Sequence, residues 1–300
     1  MNITNNEKIL TVDLDKEQRE LHIKQNNYIL DHNLELLDAT KQQTILLGNT
    51  ISFATTNIRG IGFKDNLKSK QIYDTFKYYK IDFVGLTETL HNNKVSFRHK
   101  NDEFYESYWT NATEKCTGVG LLVNKSWAKY IQRINNKRDR YLTVDLFLSG
   151  KIKLRIIVLY APSNIQHLDE IKDFNKDILN ILDNSKKEKF SVLIMGDFNA
   201  DPDKLNDLLL DNKIPSIKYQ LINTLKHRNF YESFRQCHTD DQRNFTWSNS
   251  LYKSRIDLIY YDNNFFTQFI YSNIIKPIIY RSDHRIIIGY FNNIKSTSNA

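Results

Sequence analysis

Apolar residues recur in short blocks along most of the chain, and their spacing predicts strands interleaved with helices. Ile51–Thr56, Asp82–Leu86, Val119–Val123, Tyr141–Leu148, Leu154–Tyr160 and Val192–Met195 are runs of strand length and composition, and Ile256–Tyr261 and Ile286–Tyr290 continue the series. Lys68–Tyr79 has the period of an amphipathic helix, and Leu168–Leu182 and Ile217–Lys226 also read as helices. Strands mixed with only a few helices predict packed sheets with helices outside, an α/β architecture distinct from a uniform βαβ barrel. The first 50 residues break this rhythm. Ile9–Leu14 and Ile45–Leu47 are short apolar pieces separated by a polar, acidic stretch in which a helix is expected around Asp31–Asp38. The expected organisation is an acidic N-terminal extension over 1–50, one domain over 51–291 and a polar tail over 292–300.

Composition narrows the class. With 40% hydrophobic residues, 17 Tyr and 17 Phe, the chain can bury a core, which excludes global disorder. Nine Gly and four Pro in 300 residues exclude collagen-like and linker-like chains. Two cysteines, Cys116 and Cys237, make neither a disulfide framework nor a thiolate zinc site, so a reducing compartment, nucleus or cytoplasm, is expected. The N-terminus carries acids where a signal peptide needs basic and then apolar residues, and no run of 18 apolar residues occurs. The expectation is a monomer with no membrane span.

Net charge is +7 but uneven, since residues 1–50 hold five Lys/Arg against eight Asp/Glu. The remainder is therefore +10. Lys125, Lys129, Arg133, Lys137, Arg138 and Arg140, opposed only by Asp139, form a basic stretch suited to a phosphate backbone, although such a run is by default solvated surface.

The candidate chemistry lies mainly at the ends of the predicted strands, where a sheet supplies precision and a loop supplies access. Asn57 follows the first strand, Glu88 the second, Tyr160 closes Leu154–Tyr160, and Asp197 and Asn199 follow Val192–Met195. Asp257 interrupts a late apolar strand, and Asp283 and His284 precede the last one. Taken singly, these are turn, rim or surface residues; Asp257 stands apart because a carboxylate inside an apolar strand needs a partner. Together they are a hard-cation and phosphate chemistry set. Oxygen donors without clustered His or Cys suit Mg²⁺ and argue against structural zinc.

The ordered set Thr56-Asn57-Ile58-Arg59-Gly60, Leu86-Thr87-Glu88-Thr89, Gly118-Val119-Gly120, Tyr160-Ala161-Pro162, Gly196-Asp197-Phe198-Asn199-Ala200, Ser254-Arg255-Ile256-Asp257 and Ser282-Asp283-His284 resembles the endonuclease/exonuclease/phosphatase superfamily, the fold of DNase I. The resemblance implies a four-layer α/β sandwich, two face-to-face mixed β-sheets flanked by helices. It implies Glu88 as principal Mg²⁺ ligand, with Mn²⁺ as an alternative, Asn57 and Asp283 contributing to the metal site, and Asp197 as the residue that orients or deprotonates water. It also implies that Asn199 holds the phosphate or that water, Tyr160 touches the phosphate near the leaving group, Asp283 assists the metal or the leaving group, and Asp257 orients His284. The chain departs from the pattern at Thr87, where the family commonly has Gln, and at Arg59, where abasic endonucleases often carry Asp.

The segment Asn244-Phe245-Thr246-Trp247 and the terminal Ser282-Asp283-His284-Arg285 are most similar to the non-LTR retrotransposon endonuclease branch. The expected function is Mg²⁺-dependent nicking of DNA to leave 3′-hydroxyl and 5′-phosphate ends, with Arg59, Lys125, Arg138, Arg140, Phe245 and Trp247 contacting substrate. The alternatives are a phosphatase or phosphodiesterase acting on a phosphoinositide, lipid or other small phosphorylated substrate, and a catalytically inactive nucleic-acid-binding or interaction protein.

Overall fold

The computed structural model describes residues 50–61, 67–91, 102–113, 116–136, 138–238, 244–277 and 279–293. The N-terminal extension apart from Thr50, with the helix expected around Asp31–Asp38, lies outside the described residues, as do Lys137 and residues 294–300.

Two six-stranded sheets carry the fold. One holds Phe269–Ile275 (β13), Ile286–Asn292 (β14), Thr50–Asn57 (β1), Phe83–Thr87 (β2), Val119–Asn124 (β4) and Tyr105–Trp109 (β3), side by side in that order. The other runs Ile131–Asn135 (β5), Tyr141–Phe147 (β6), Lys153–Tyr160 (β7), Ser191–Asp197 (β8), Asp257–Asp262 (β12) and Phe230–Glu232 (β9). Trp247–Ser248 (β10) and Lys253–Ser254 (β11) form a separate hairpin. Both sheets are mixed. The parallel pairs are β1 with β2, joined through helix Leu67–Tyr78 (α1), and β7 with β8, joined through Leu168–Lys187 (α3).

Side-chain alternation along each strand builds the layers. Phe53, Phe83, Leu121 and Val123 of the first sheet meet Val144, Ile156, Leu193 and Met195 of the second in one buried core. Their neighbours Ala54, Val84 and Leu122 turn outward onto Ile72, Tyr73 and Phe76 of α1. Ile157, Leu159 and Ile194 turn outward onto Phe174, Ile178 and Leu182 of α3 and onto Gln220–His227 (α5). The result is a four-layer α/β sandwich, and strands covered on both faces are apolar throughout, which is why their sequence runs are continuous. In α3 the buried positions Ile171, Phe174, Asn175, Ile178, Leu182 and Ser185 keep a single helical face, with Asp169 and Glu170 in the first turn and Lys186 and Lys187 in the last, the charge arrangement a helix dipole favours.

A buried ion network ties helix Pro202–Leu210 (α4) to the second sheet. Arg255, with a fully buried side chain, donates to Asp203 at 2.7 Å and Glu232 at 2.6 Å, and Arg235 also bonds Asp203. Removing one member of such a network leaves uncompensated buried charge. Arg255→Met is expected to cost about 3–5 kcal/mol of stability in a urea titration; a loss under about 1 kcal/mol would show that the carboxylates find other partners.

Candidate active site

The C-terminal ends of β1, β2, β7 and β8 meet at one edge of the sandwich. Register places Asn57 opposite Thr87, and Asp197 between Tyr160 on one side and Asp257 on the other. Functional side chains therefore converge from both sheets. Above them lies a cleft of about 370 Å³ lined by Arg59, Glu88, Tyr160, Asp197, Asn199, Trp247, Asp283 and His284, among others.

Backbone geometry aims these groups. Gly196 precedes Asp197 with φ 143°, and a Cβ there would stand 1.9 Å from the Leu159 carbonyl oxygen, so only glycine lets β8 approach β7 at this point. Glu88 adopts φ 48°, a left-handed conformation that costs an ordinary side chain on the order of 1 kcal/mol or more and signals a constrained site. The bonds that hold it are Gly60 N–H to the Glu88 carbonyl at 2.6 Å and Thr89 N–H to the Gly118 carbonyl at 3.0 Å.

Asn57 lies fully buried beneath the cleft. Its amide nitrogen donates to Glu88 Oε1 at 2.8 Å and to Asp197 Oδ2 at 3.1 Å, while its oxygen accepts the Arg59 N–H at 3.0 Å. A donor facing two carboxylates holds them together against their repulsion. Tyr160 donates its hydroxyl to Glu88 Oε1 at 2.9 Å; burial first, then the Glu88 and Asp197 charges, push the phenol above its ordinary range and keep it a donor. Both of these bonds fall on Oε1 of Glu88. Asn199 N–H bonds Asp197 Oδ1 at 2.9 Å, and the Asn199 side-chain amide is tied to the Ala161 carbonyl at 2.7 Å.

Asp257 is completely buried and its Oδ2 lies 2.7 Å from Nδ1 of His284. That bond leaves Nε2 of the imidazole for other chemistry. Burial opposes the imidazolium, but the Asp257 carboxylate outweighs it and His284 is raised to about 9. Burial, then repulsion from Asp257, pushes Asp197 up to about 7. Two backbone clasps set this geometry. Thr246 Oγ1 accepts the N–H groups of Ile256 and Asp257, and Ser282 Oγ bridges the Asn57 carbonyl and the His284 N–H.

The ligand atoms of Asp197, Asp257 and His284 lie within 4.8 Å of one another, a buried group able to take a divalent cation. Asp257 Oδ1 and Asp283 Oδ1 are buried without a hydrogen-bond partner, and such oxygens suit a cation or its waters. The residues present therefore fit a hard divalent metal.

Asn57 presents its amide donors to the two carboxylates and its oxygen to the Arg59 N–H, and so holds both acids in place. Asp283 accepts Arg59 at 3.0 Å and Trp247 Nε1 at 3.1 Å on Oδ2, so its outer oxygen is engaged at the cleft mouth. Lys125 does not reach the site: it opens the short helix Lys125–Ala128 (α2), beyond the end of β4 opposite the one that pairs with Thr87. Arg138 pairs with Asp177 on α3 and lines a second cavity, and Arg140 pairs with Glu170 while its guanidinium lies 5.5 Å from the Tyr160 ring centre. Trp247 is in the cleft. Phe245 is not among its lining residues; its ring faces two cations instead. Thr246 and Ser282 sit inside the matched motifs but had no role assigned to them: Thr246 clasps backbone ten and eleven residues on, and Ser282 reaches the Asn57 carbonyl 225 residues away.

A family model described as Endonuclease/Exonuclease/phosphatase family matches residues 54–284. "Craniofacial development protein 2" of Bos taurus is 29% identical over 120 residues, 40% of this chain and 20% of that protein, so the match spans about a fifth of that curated relative. Among solved structures, the AP endonuclease LMAP from Leishmania major superposes with a TM-score of 0.69 at 14% identity, covering 82% of this chain and 89% of that one. The Xenopus laevis APE2 catalytic domain gives 0.65 at 18% identity, covering 81% and 92%.

Proposed function

From the premise that this chain belongs to the Endonuclease/Exonuclease/phosphatase family, we propose that it is a metal-dependent DNA endonuclease that nicks one strand by water attack on phosphorus, leaving 3′-hydroxyl and 5′-phosphate ends. The single observation that carries the reading is the joint hydrogen bonding of Asn57, Glu88, Tyr160 and Asp197 beside the Asp257–His284 pair, an arrangement with a base, a charge-stabilising donor and an oxygen-rich cation site in one cleft.

In this account Asp197 takes the proton of the attacking water, with Asn57 and the Asn199 N–H holding its carboxylate in position. His284, kept protonated by Asp257, presents Nε2 to a phosphate oxygen and stabilises the developing charge. Tyr160 and Asn199 orient the phosphate, and Asp283 acts at the leaving-group side. Mg²⁺ or Mn²⁺ would be held by carboxylate oxygens, Glu88 first among them, with the protonated His284 left to the phosphate, and would supply Lewis acidity and charge neutralisation when bound. Trp247, anchored through Asp283, offers an aromatic edge to the nucleic acid. The +10 charge of residues 51–300 favours a polyanion over a small headgroup as substrate.

Purified protein incubated with supercoiled DNA, an abasic duplex and a phosphoinositide panel, each with Mg²⁺ and with EDTA, tests the reading. Nicking that requires the metal supports it. Headgroup release without nicking overturns it in favour of the small-substrate phosphatase.

A further inference from the structure

We propose that Phe245, Lys253 and Arg285 form a subsite for a substrate backbone phosphate outside the scissile one, with the Phe245 ring fixing the two cations. The proposal rests on the polynucleotide reading above and names where that substrate is gripped.

Arg133 is held by Asp145 and Glu188, Arg138 by Asp177, Arg140 by Glu170, Arg59 by Asp283, and Arg235 and Arg255 by Asp203. The three arginines of the stretch that looks most basic in sequence are thus neutralised by the fold itself. Lys253 and Arg285, by contrast, have no carboxylate partner among the described residues.

Both cations lie instead against one aromatic ring. The Arg285 guanidinium is 3.7 Å and the Lys253 ammonium 4.8 Å from the Phe245 ring centre. Asn244 Oδ1 accepts from Arg285 Nη1 at 3.1 Å and from the Phe245 N–H at 2.9 Å, locking the guanidinium to the backbone that carries the ring. A cation–π contact does not neutralise charge, so it restrains a long side chain while leaving its charge for a ligand. A ring engaged by two cations is also unsuited to stacking on a base, which is why Phe245 reads as a scaffold.

The patch is tied to the cleft at three points along the chain. Arg285 follows His284, Lys253 precedes Ser254, and Phe245 is two residues before Trp247, and His284, Ser254 and Trp247 all line the cleft. A strand whose scissile phosphate sits over His284 would carry a neighbouring phosphate across this patch.

The test is the salt dependence of binding to a fixed-length duplex, measured by fluorescence anisotropy in EDTA from 50 to 200 mM salt. Each phosphate that the protein no longer neutralises lowers the log–log slope by about 0.9. Lys253→Gln with Arg285→Gln is expected to lower the slope by about one. Phe245→Ala is expected to lower it by about one although it removes no charge, and Phe245→Trp to restore it. A wild-type slope in Phe245→Leu and Phe245→Ala beside a reduced slope in the charge variant would overturn the scaffold role, and unchanged slopes in all of them would overturn the subsite. Both differ from failure of the nuclease reading, in which the wild-type protein neither nicks DNA nor binds it with a salt-dependent slope.

Discussion

Asp197→Asn is expected to cut DNA nicking by about 10² or more, the usual cost of deleting a positioned base, while raising the melting temperature at pH 8. The carboxylate is buried between β7 and β12, opposite a second buried carboxylate, and its pKa is pushed up to about 7 by burial and then by Asp257. A group whose pKa is higher folded than unfolded contributes stability at low pH that is lost as the pH rises through the folded value. At pH 8 the wild-type protein therefore carries an unfavourable buried charge that asparagine lacks. The gain should amount to a few degrees and vanish below about pH 4, where the acid is protonated in both states. Calorimetry across this range, set beside a nicking assay, checks both halves. An inactive variant that melts lower than wild type at pH 8 would mean that the carboxylate supports the fold.

The second large effect concerns Asp257→Asn. Nicking should follow a bell-shaped pH profile, rising as Asp197 ionises and falling as His284 loses its proton, with both limbs belonging to the coupled group rather than to one residue. Asp257 raises both values, because its charge repels that of Asp197 and attracts that of the imidazolium. Asparagine removes both effects. The whole bell is expected to move toward acid, with a maximal rate lower by about 10² as the imidazole loses its orienting acceptor. A rate loss with an unmoved alkaline limb would contradict the role given to the Asp257–His284 contact.

Much of this was legible from residue order. The central strands announce themselves because sheets covered on both faces need continuous apolar runs, and the polar residues that end them mark the site. Apart from the short hairpin β10–β11, the strands that escaped the pattern, β3, β5, β9 and β13, are the four edges of the six-stranded sheets, where polar residues interrupt the runs, as Ser272 and Asn273 do in Phe269–Ile275. Helix α4 also carried no clear signal: its nine residues bury only Pro202 and Leu205, and its start is set by Asp201 accepting the Asp203 N–H. Candidate catalytic residues could be named one by one, but their hydrogen bonds could not. The pairing of the basic stretch was hidden for a related reason, since the acids that neutralise Arg133, Arg138 and Arg140 sit on the following helix or just beyond it, or on a neighbouring strand, and composition cannot show that.

The most direct test of the central claim is cleavage of supercoiled DNA with Mg²⁺ in ¹⁸O-labelled water, followed by analysis of the nicked ends. Water attack on phosphorus with departure of the 3′ oxygen predicts label in the 5′-phosphate, a 3′ end that a polymerase extends without treatment, and product reduced by about 10² or more in Asp197→Asn. Label at a 3′-phosphate, or unlabelled ends, would contradict it.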